Sequence, residues 1–158
     1  MSTPVPRHRL MAIMAADAVG FSRLMSLDDQ QTVATLDAAR GLFRTHVQEC
    51  GGRVIDVAGD SVLARFDTAI GAVQAALAVQ RDLAIHAARA PADRRMDFRI
   101  GVHLGDVIEK DDGTVYGDGV NIAARLQGIA EPGGIVVSQA VQGVVQGRVA
   151  ARLTDLGE

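Results

Sequence analysis

The stretch that most constrains this chain runs from Val54 to Phe66, Val-Ile-Asp-Val-Ala-Gly-Asp-Ser-Val-Leu-Ala-Arg-Phe. β-branched and apolar residues on both sides read as two short strands. Between them, Gly59-Asp60 offers the permissive backbone and the polar side chain of a tight turn. Two paired strands hold a side chain at their tip rigidly. Asp60 is therefore either a solvated turn residue or one half of a site, and the rest of the chain decides which.

Upstream, Arg9 to Asp17 is apolar and β-compatible and stops at a carboxylate, the pattern of a buried strand. Gly20-Phe21-Ser22 is a break that opens a helix. Ser26-Leu27-Asp28-Asp29 resembles a second helix start, with an acid three places after a serine. Val33, Leu36, Ala39, Phe43 and Val47 then recur at helical spacing up to the Gly51-Gly52 stop. After the hairpin, Asp67 or Thr68 caps a long helix with Ile70, Val73, Leu77 and its alanines on one face. Met96 to Val107 alternates as a strand, with an interruption expected at Gly105-Asp106. Val107-Ile108 and Val115-Tyr116 flank Lys110-Asp111-Asp112-Gly113 as a second hairpin. Gly117-Asp118-Gly119 opens a helix over 120–129, with Asp118 as its cap, and Pro132-Gly133-Gly134 closes it. Ile135 to Val137 reads as a short strand, Ser138 as a cap, and 148–156 as a final strand. Strands, helices and interleaved hairpins predict an α+β fold. It has a ferredoxin-like βαββαβ core with added C-terminal strands and helices, and a mostly antiparallel sheet with helices on one face. Residues 1–8 read as a flexible N-terminus and 9–158 as one domain.

Composition narrows the function. At 158 residues the chain has length enough for one sizeable core. A net charge of −3 and only five aromatics, four Phe and one Tyr, argue against nucleic acid as a partner. One cysteine, Cys50, excludes an internal disulfide and a cysteine zinc cluster. His8, His46, His86 and His103 lack metal-cluster spacing and read as surface or strand residues. No apolar run reaches the length of a bilayer span, and the expected location is cytoplasmic.

Three features carry chemistry. If the strands of Asp17 and Asp60 are neighbours, two carboxylates meet, and they repel unless a cation sits between them. All-oxygen ligation suits Mg²⁺ or Mn²⁺, which keep waters and bind substrate phosphates. The turn after Asp17, Val19-Gly20-Phe21-Ser22, offers backbone N–H groups to a phosphate. Asn121 and Arg125, four apart, share one helix face. An Arg there can stabilise developing charge, and an Asn can orient a sugar hydroxyl. Each of these residues also has an ordinary reading, as a cap or a solvated helix face.

Taken together, Asp17-Ala18-Val19-Gly20-Phe21-Ser22, Gly59-Asp60, Phe98 to Gly105 and Tyr116 to Leu126 resemble the catalytic domain of class III nucleotidyl cyclases, most of all the bacterial cytosolic members. The resemblance covers the chain from about Arg9 onward. It implies conversion of ATP or GTP to a 3′,5′-cyclic nucleotide and pyrophosphate at the interface of a head-to-tail homodimer. It implies two divalent ions, Mg²⁺ or Mn²⁺, on Asp17 and Asp60. One would acidify the ribose 3′-hydroxyl, and the other would hold the triphosphate. Asn121 and Arg125 of the other subunit would orient the ribose and stabilise the α-phosphate.

By the same resemblance, Asp56 and Thr114 stand at the base-reading positions. Adenylyl cyclases usually carry Lys at the first and Asp or Thr at the second, whereas guanylyl cyclases carry an acid at the first. Asp56 replaces a cationic donor by an anionic acceptor, so the purine stays open. The family pattern also continues with a further strand and a basic residue for the triphosphate, so the domain is expected to lack its last strand or strands here. Further domains in the full-length chain are a further expectation. The alternative reading is a cyclase-homology module that binds nucleotide or dimerises without turnover. Of three Gly-Asp pairs, only Gly59-Asp60 matches the metal motif, and Asp106 and Asp118 read as structural.

Overall fold

A strand apolar on both faces needs cover on both, and β1 (Arg7–Ala18) is such a strand. Ala12, Met14 and Ala16 are buried toward one side, and Met11, Ile13 and Ala15 toward the other. The computed structural model describes residues 7–149. After β1 come α1 (Phe21–Leu27), α2 (Asp29–Glu49), β2 (Gly52–Ala58), β3 (Ser61–Phe66), α3 (Ala69–Ala88) and β4 (Phe98–Glu109). The remaining elements are β5 (Val115–Tyr116), α4 (Asp118–Gly128), β6 (Ile135–Val137) and α5 (Gln139–Val145). The sheet runs β2-β3-β1-β4-β5, antiparallel throughout, with β6 joined parallel to β4.

The α+β architecture and the mostly antiparallel sheet agree with the sequence. The helices, however, lie on both faces. α2, α3 and α5 cover the side of Ala64, Phe66, Phe98 and Ile100, where Phe43 and Phe98 meet with ring centroids 5.3 Å apart. α4 covers the other side through Ala123, over Met11, Ile13 and Val107. The two-sided apolar pattern of β1 requires this second layer.

Several boundaries move for local reasons. β1 begins at Arg7, because Arg7 and His8 already pair with Glu109 and Ile108. Asp28 caps α2, accepting from the Gln31 N–H, while Ser26 belongs to α1 and bonds back to the Ser22 carbonyl. Thr32 takes the buried place expected of Val33, because its hydroxyl reaches the Leu24 carbonyl at 2.8 Å and ties α1 to α2. Thr68 caps α3, and Ser138 caps α5. The expected interruption at Gly105-Asp106 is absent. Both residues stay in β4, paired with Met11 and Leu10, and the long ladder carries the exposed Asp106 without a break. The expected strand at 148–156 has Arg148 in a turn after α5, and its residues from 150 on lie outside the described residues.

Gly101 sets how closely α4 approaches the sheet. A Cβ there would lie 2.4 Å from both the Ala123 carbonyl oxygen and the Gln127 nitrogen. Those are backbone atoms, so α4 itself would have to move. Gly101→Ala is expected to cost about 1–3 kcal/mol, read as a lower urea midpoint. An unchanged midpoint would show that α4 yields freely.

Candidate active site

Antiparallel pairing places Asp17 opposite Ser61 on β3 and opposite Arg99 on β4. Asp60 directly precedes Ser61, so the hairpin tip lies beside the end of β1. The Asp60 carboxylate accepts a hydrogen bond from the Ala18 N–H at 3.2 Å, which fixes it to the residue after Asp17. Its other oxygen accepts none among the described residues. Gly59 makes the turn with φ 57°, a left-handed conformation that costs glycine nothing. Two more bonds hold the turn. The Ser61 hydroxyl donates to the Ala58 carbonyl at 2.7 Å, and Arg40 of α2 donates to the Gly59 carbonyl. The sheet thus brings together the two carboxylates that the sequence singles out.

Arg99 is the site residue that sequence reasoning missed. Its Nε and Nη2 donate to the two oxygens of Asp17 at 3.2 and 3.0 Å, and its Nη1 donates to the Gly128 carbonyl at 3.2 Å. The bond to Asp17 and the charges of Asp17 and Asp60 raise its pKa, against the effect of burial. In the sequence Arg99 is only a polar position in an alternating strand, and its partner appears only once the β1–β4 register is known. Arg40 was missed for the same reason, since a helix arginine gives no hint of a hairpin turn nineteen residues further along the chain.

The donor set suits a hard cation. Among the described residues no three His, Cys, Asp or Glu side chains converge as a metal cluster. Two carboxylates alone are what Mg²⁺ takes when waters and phosphate oxygens complete its octahedron. The free oxygen of Asp60 is available to such an ion, whereas both oxygens of Asp17 are engaged by Arg99.

Beside the carboxylates, Gly20 turns the chain into α1 with φ 64°. The Val19 N–H donates to the Asp97 carbonyl at 2.8 Å and so is not open to a phosphate. The N–H groups of Phe21 and Ser22, in the first turn of α1, have no acceptor within the helix.

Asn121 and Arg125 are both exposed on the outer side of α4, while Gly119 and Ala123 pack inward. Neither side chain makes a hydrogen bond or ion pair among the described residues. α4 covers the side of the sheet to which Met11, Ile13 and Ala15 belong, and the two side chains are exposed on that helix. The cap of α4 is Gly117, and Asp118 is the first helical residue, where its charge suits the helix dipole without a capping bond.

Asp56 owes its position to a β-bulge. Val54 pairs with Ala64, but Asp56 pairs with Leu63, leaving Ile55 as the extra residue. Val54 packs with the α2–α3 side and Ile55 and Leu63 with the α4 side. Directly paired residues share a face, so the bulge puts Asp56 on the α4 side, the side of Asp17. Asp56 also lines a cavity of about 710 Å³ beside the β2 edge, with Arg44, Gln48 and Arg53. Thr114 sits half-buried in the β4–β5 turn, where its N–H donates to Asp112 at 2.9 Å. Elsewhere, His46 pairs with Asp82 at 2.6 Å and joins α2 to α3, and burial, with the charge of Glu49, raises the Cys50 thiol pKa.

Comparison with known proteins shows the family of the chain. Residues 3–158 match the family described as adenylate and guanylate cyclase catalytic domain. A Rhizobium meliloti protein whose name carries the words adenylate cyclase 3 is 41% identical over 152 residues, 96% of this chain and 26% of its own. An adenylate cyclase of Streptomyces coelicolor is 32% identical over 133 residues, 84% of this chain and 33% of its own. The chain thus spans about a quarter to a third of these relatives. The crystal structure of an adenylate/guanylate cyclase/hydrolase from Silicibacter pomeroyi superposes with a TM-score of 0.89 at 40% identity, over 97% of this chain and 89% of that one.

Proposed function

The chain belongs to the adenylate and guanylate cyclase catalytic domain family, and on that footing we propose that it converts ATP or GTP to the 3′,5′-cyclic nucleotide and pyrophosphate. The observation that carries this reading is the placement of Asp60 against Ala18, beside Asp17. Asp17 and Asp60 would hold divalent cations, Mg²⁺ or Mn²⁺, two per site. When bound, these supply Lewis-acid charge that favours ionisation of the ribose 3′-hydroxyl and offsets the charge of the triphosphate.

The chain's own residues do the rest. The turn of Gly20, Phe21 and Ser22 faces the triphosphate with N–H groups and a helix start. Arg125 donates to the α-phosphate oxygens as negative charge builds there, and Asn121 holds the ribose in line for attack. Both side chains are exposed on α4 and make no hydrogen bond or ion pair among the described residues. That geometry supports a head-to-tail homodimer in which each chain serves the other's site. Proximity and electrostatic stabilisation then do most of the catalysis.

Asp56 and Thr114 would read the base. A carboxylate accepts from both N1–H and the 2-amino group of guanine, but adenine N1 offers it only a lone pair. Hydrogen-bonding mismatches of that kind discriminate strongly. The purified protein is expected to form cyclic nucleotide with Mn²⁺, and Asp56→Ala to raise the ATP-to-GTP ratio of kcat/KM by about tenfold or more. Efficient ATP cyclisation left unchanged by Asp56→Ala would remove Asp56 from base selection.

A further inference from the structure

Asp17 has an ion-pair partner across the sheet. Arg99 forks onto both of its carboxylate oxygens and with its third nitrogen holds the carbonyl of Gly128, the last residue of α4. One guanidinium therefore joins the end of β1 to the end of the helix that carries Asn121 and Arg125. Its geometry is favourable, because bidentate Arg–carboxylate pairs are the stronger class of ion pair. The pair is also partly screened from water, with the Asp17 and Arg99 side chains 25% and 31% exposed. Asp60 adds a second negative charge close enough to act on Arg99.

We propose that Arg99 is the built-in counter-ion of the metal-free site, that a divalent cation must displace it from Asp17, and that this displacement loosens the end of α4. The inference rests on the reading of Asp17 and Asp60 as metal ligands. With Arg99 in place the two carboxylates carry a net charge of about −1, enough cancellation for them to lie side by side. A divalent ion approaching Asp17 competes with two charge-assisted hydrogen bonds. Once Asp17 turns to the ion, Arg99 loses two of its three acceptors and with them the geometry that holds Gly128. Metal entry at one carboxylate is thereby felt at α4, whose outer face would serve the partner's site. Arg99 is in this sense a positioning residue for both.

Direct Mn²⁺ binding to the nucleotide-free protein tests this, followed by electron paramagnetic resonance of the free ion. Arg99→Gln is expected to bind Mn²⁺ about fivefold to tenfold more tightly than the parent, the scale of one lost charge-assisted contact at a partly exposed site. Arg99→Lys keeps the charge without the fork and should fall between the two. Asp17→Asn should weaken binding. Hydrogen exchange supplies the second readout. In the parent, saturating Mn²⁺ should speed exchange over residues 126–134, whereas in Arg99→Gln exchange there is fast from the start and indifferent to the ion. Circular dichroism checks that each variant is folded. If Asp17→Asn weakens Mn²⁺ binding while Arg99→Gln leaves it unchanged or weakens it, the counter-ion role is wrong and the metal reading stands. If Asp17→Asn binds Mn²⁺ like the parent, the metal reading itself fails.

Discussion

Asp60→Asn is expected to lower cyclic-nucleotide formation by about three orders of magnitude, because loss of metal-borne charge stabilisation amounts to several kcal/mol at roughly 1.4 kcal/mol per tenfold. The same variant should melt close to the parent temperature. In the parent, one Asp60 oxygen accepts from the Ala18 N–H and the other accepts no hydrogen bond among the described residues. An asparagine can keep the accepting oxygen toward Ala18 and so preserve the link between hairpin and β1. What it loses is charge, which is what a cation needs. Asp60→Ala removes both and should cost stability as well, about 1 kcal/mol for one hydrogen bond at a half-buried position. The pair of variants separates chemistry from scaffold. Turnover of Asp60→Asn near the parent level with Mg²⁺ or Mn²⁺ would mean that Asp60 is a turn residue and nothing more.

Arg125→Ala should leave stability within about 0.5 kcal/mol of the parent, as for exposed side chains without partners. It should nevertheless reduce kcat by about 10²- to 10³-fold, the usual effect of removing one donor aimed at transition-state charge. A fall in kcat with little change in KM marks a contact made chiefly in the transition state. The decisive version mixes Arg125→Ala with Asp60→Asn. Each protein alone lacks every working site, but a mixed head-to-tail dimer contains one site with both residues intact. Activity should return on mixing and reach at most about a quarter of the parent's, since statistical pairing makes half the dimers mixed with one of two sites restored. Mixing confirmed by mass spectrometry without recovery would place Arg125 and Asp60 in the same chain's site or in none.

Much of this arrangement was legible in the sequence because it is written in local signals. Asp17 closes an apolar run, Gly59-Asp60 sits between β-branched segments, and Thr68 and Ser138 precede helical periods. What was not legible depends on pairing between distant segments. Arg99 meets Asp17 only through the β1–β4 register, 82 residues apart. Thr32 replaces Val33 in the core only because α1 ends where its hydroxyl can reach Leu24. The second helical layer was missed although its signal was present. Met11, Ile13 and Ala15 alternate with Ala12, Met14 and Ala16, and a strand without a polar face predicts cover on both sides. The continuous β4 was hidden by reading Gly105-Asp106 as a local break, when a twelve-residue partner strand overrides local turn preference.

The bulge at Ile55 fixes the side of the sheet to which Asp56 belongs. In an unbulged β2 each residue after Val54 would meet the next partner along β3, and Asp56 would stand opposite Val62, among α2 and α3, rather than opposite Leu63. Removing Ile55 would instead delete the extra residue and leave Asp56 opposite Leu63, so only a straightened strand that keeps Ile55 turns Asp56 to the other side. The side chain that an edge strand offers to either face is thus set by pairing register as well as by residue identity, and an aligned column at this position does not by itself guarantee that two side chains face the same side of the sheet.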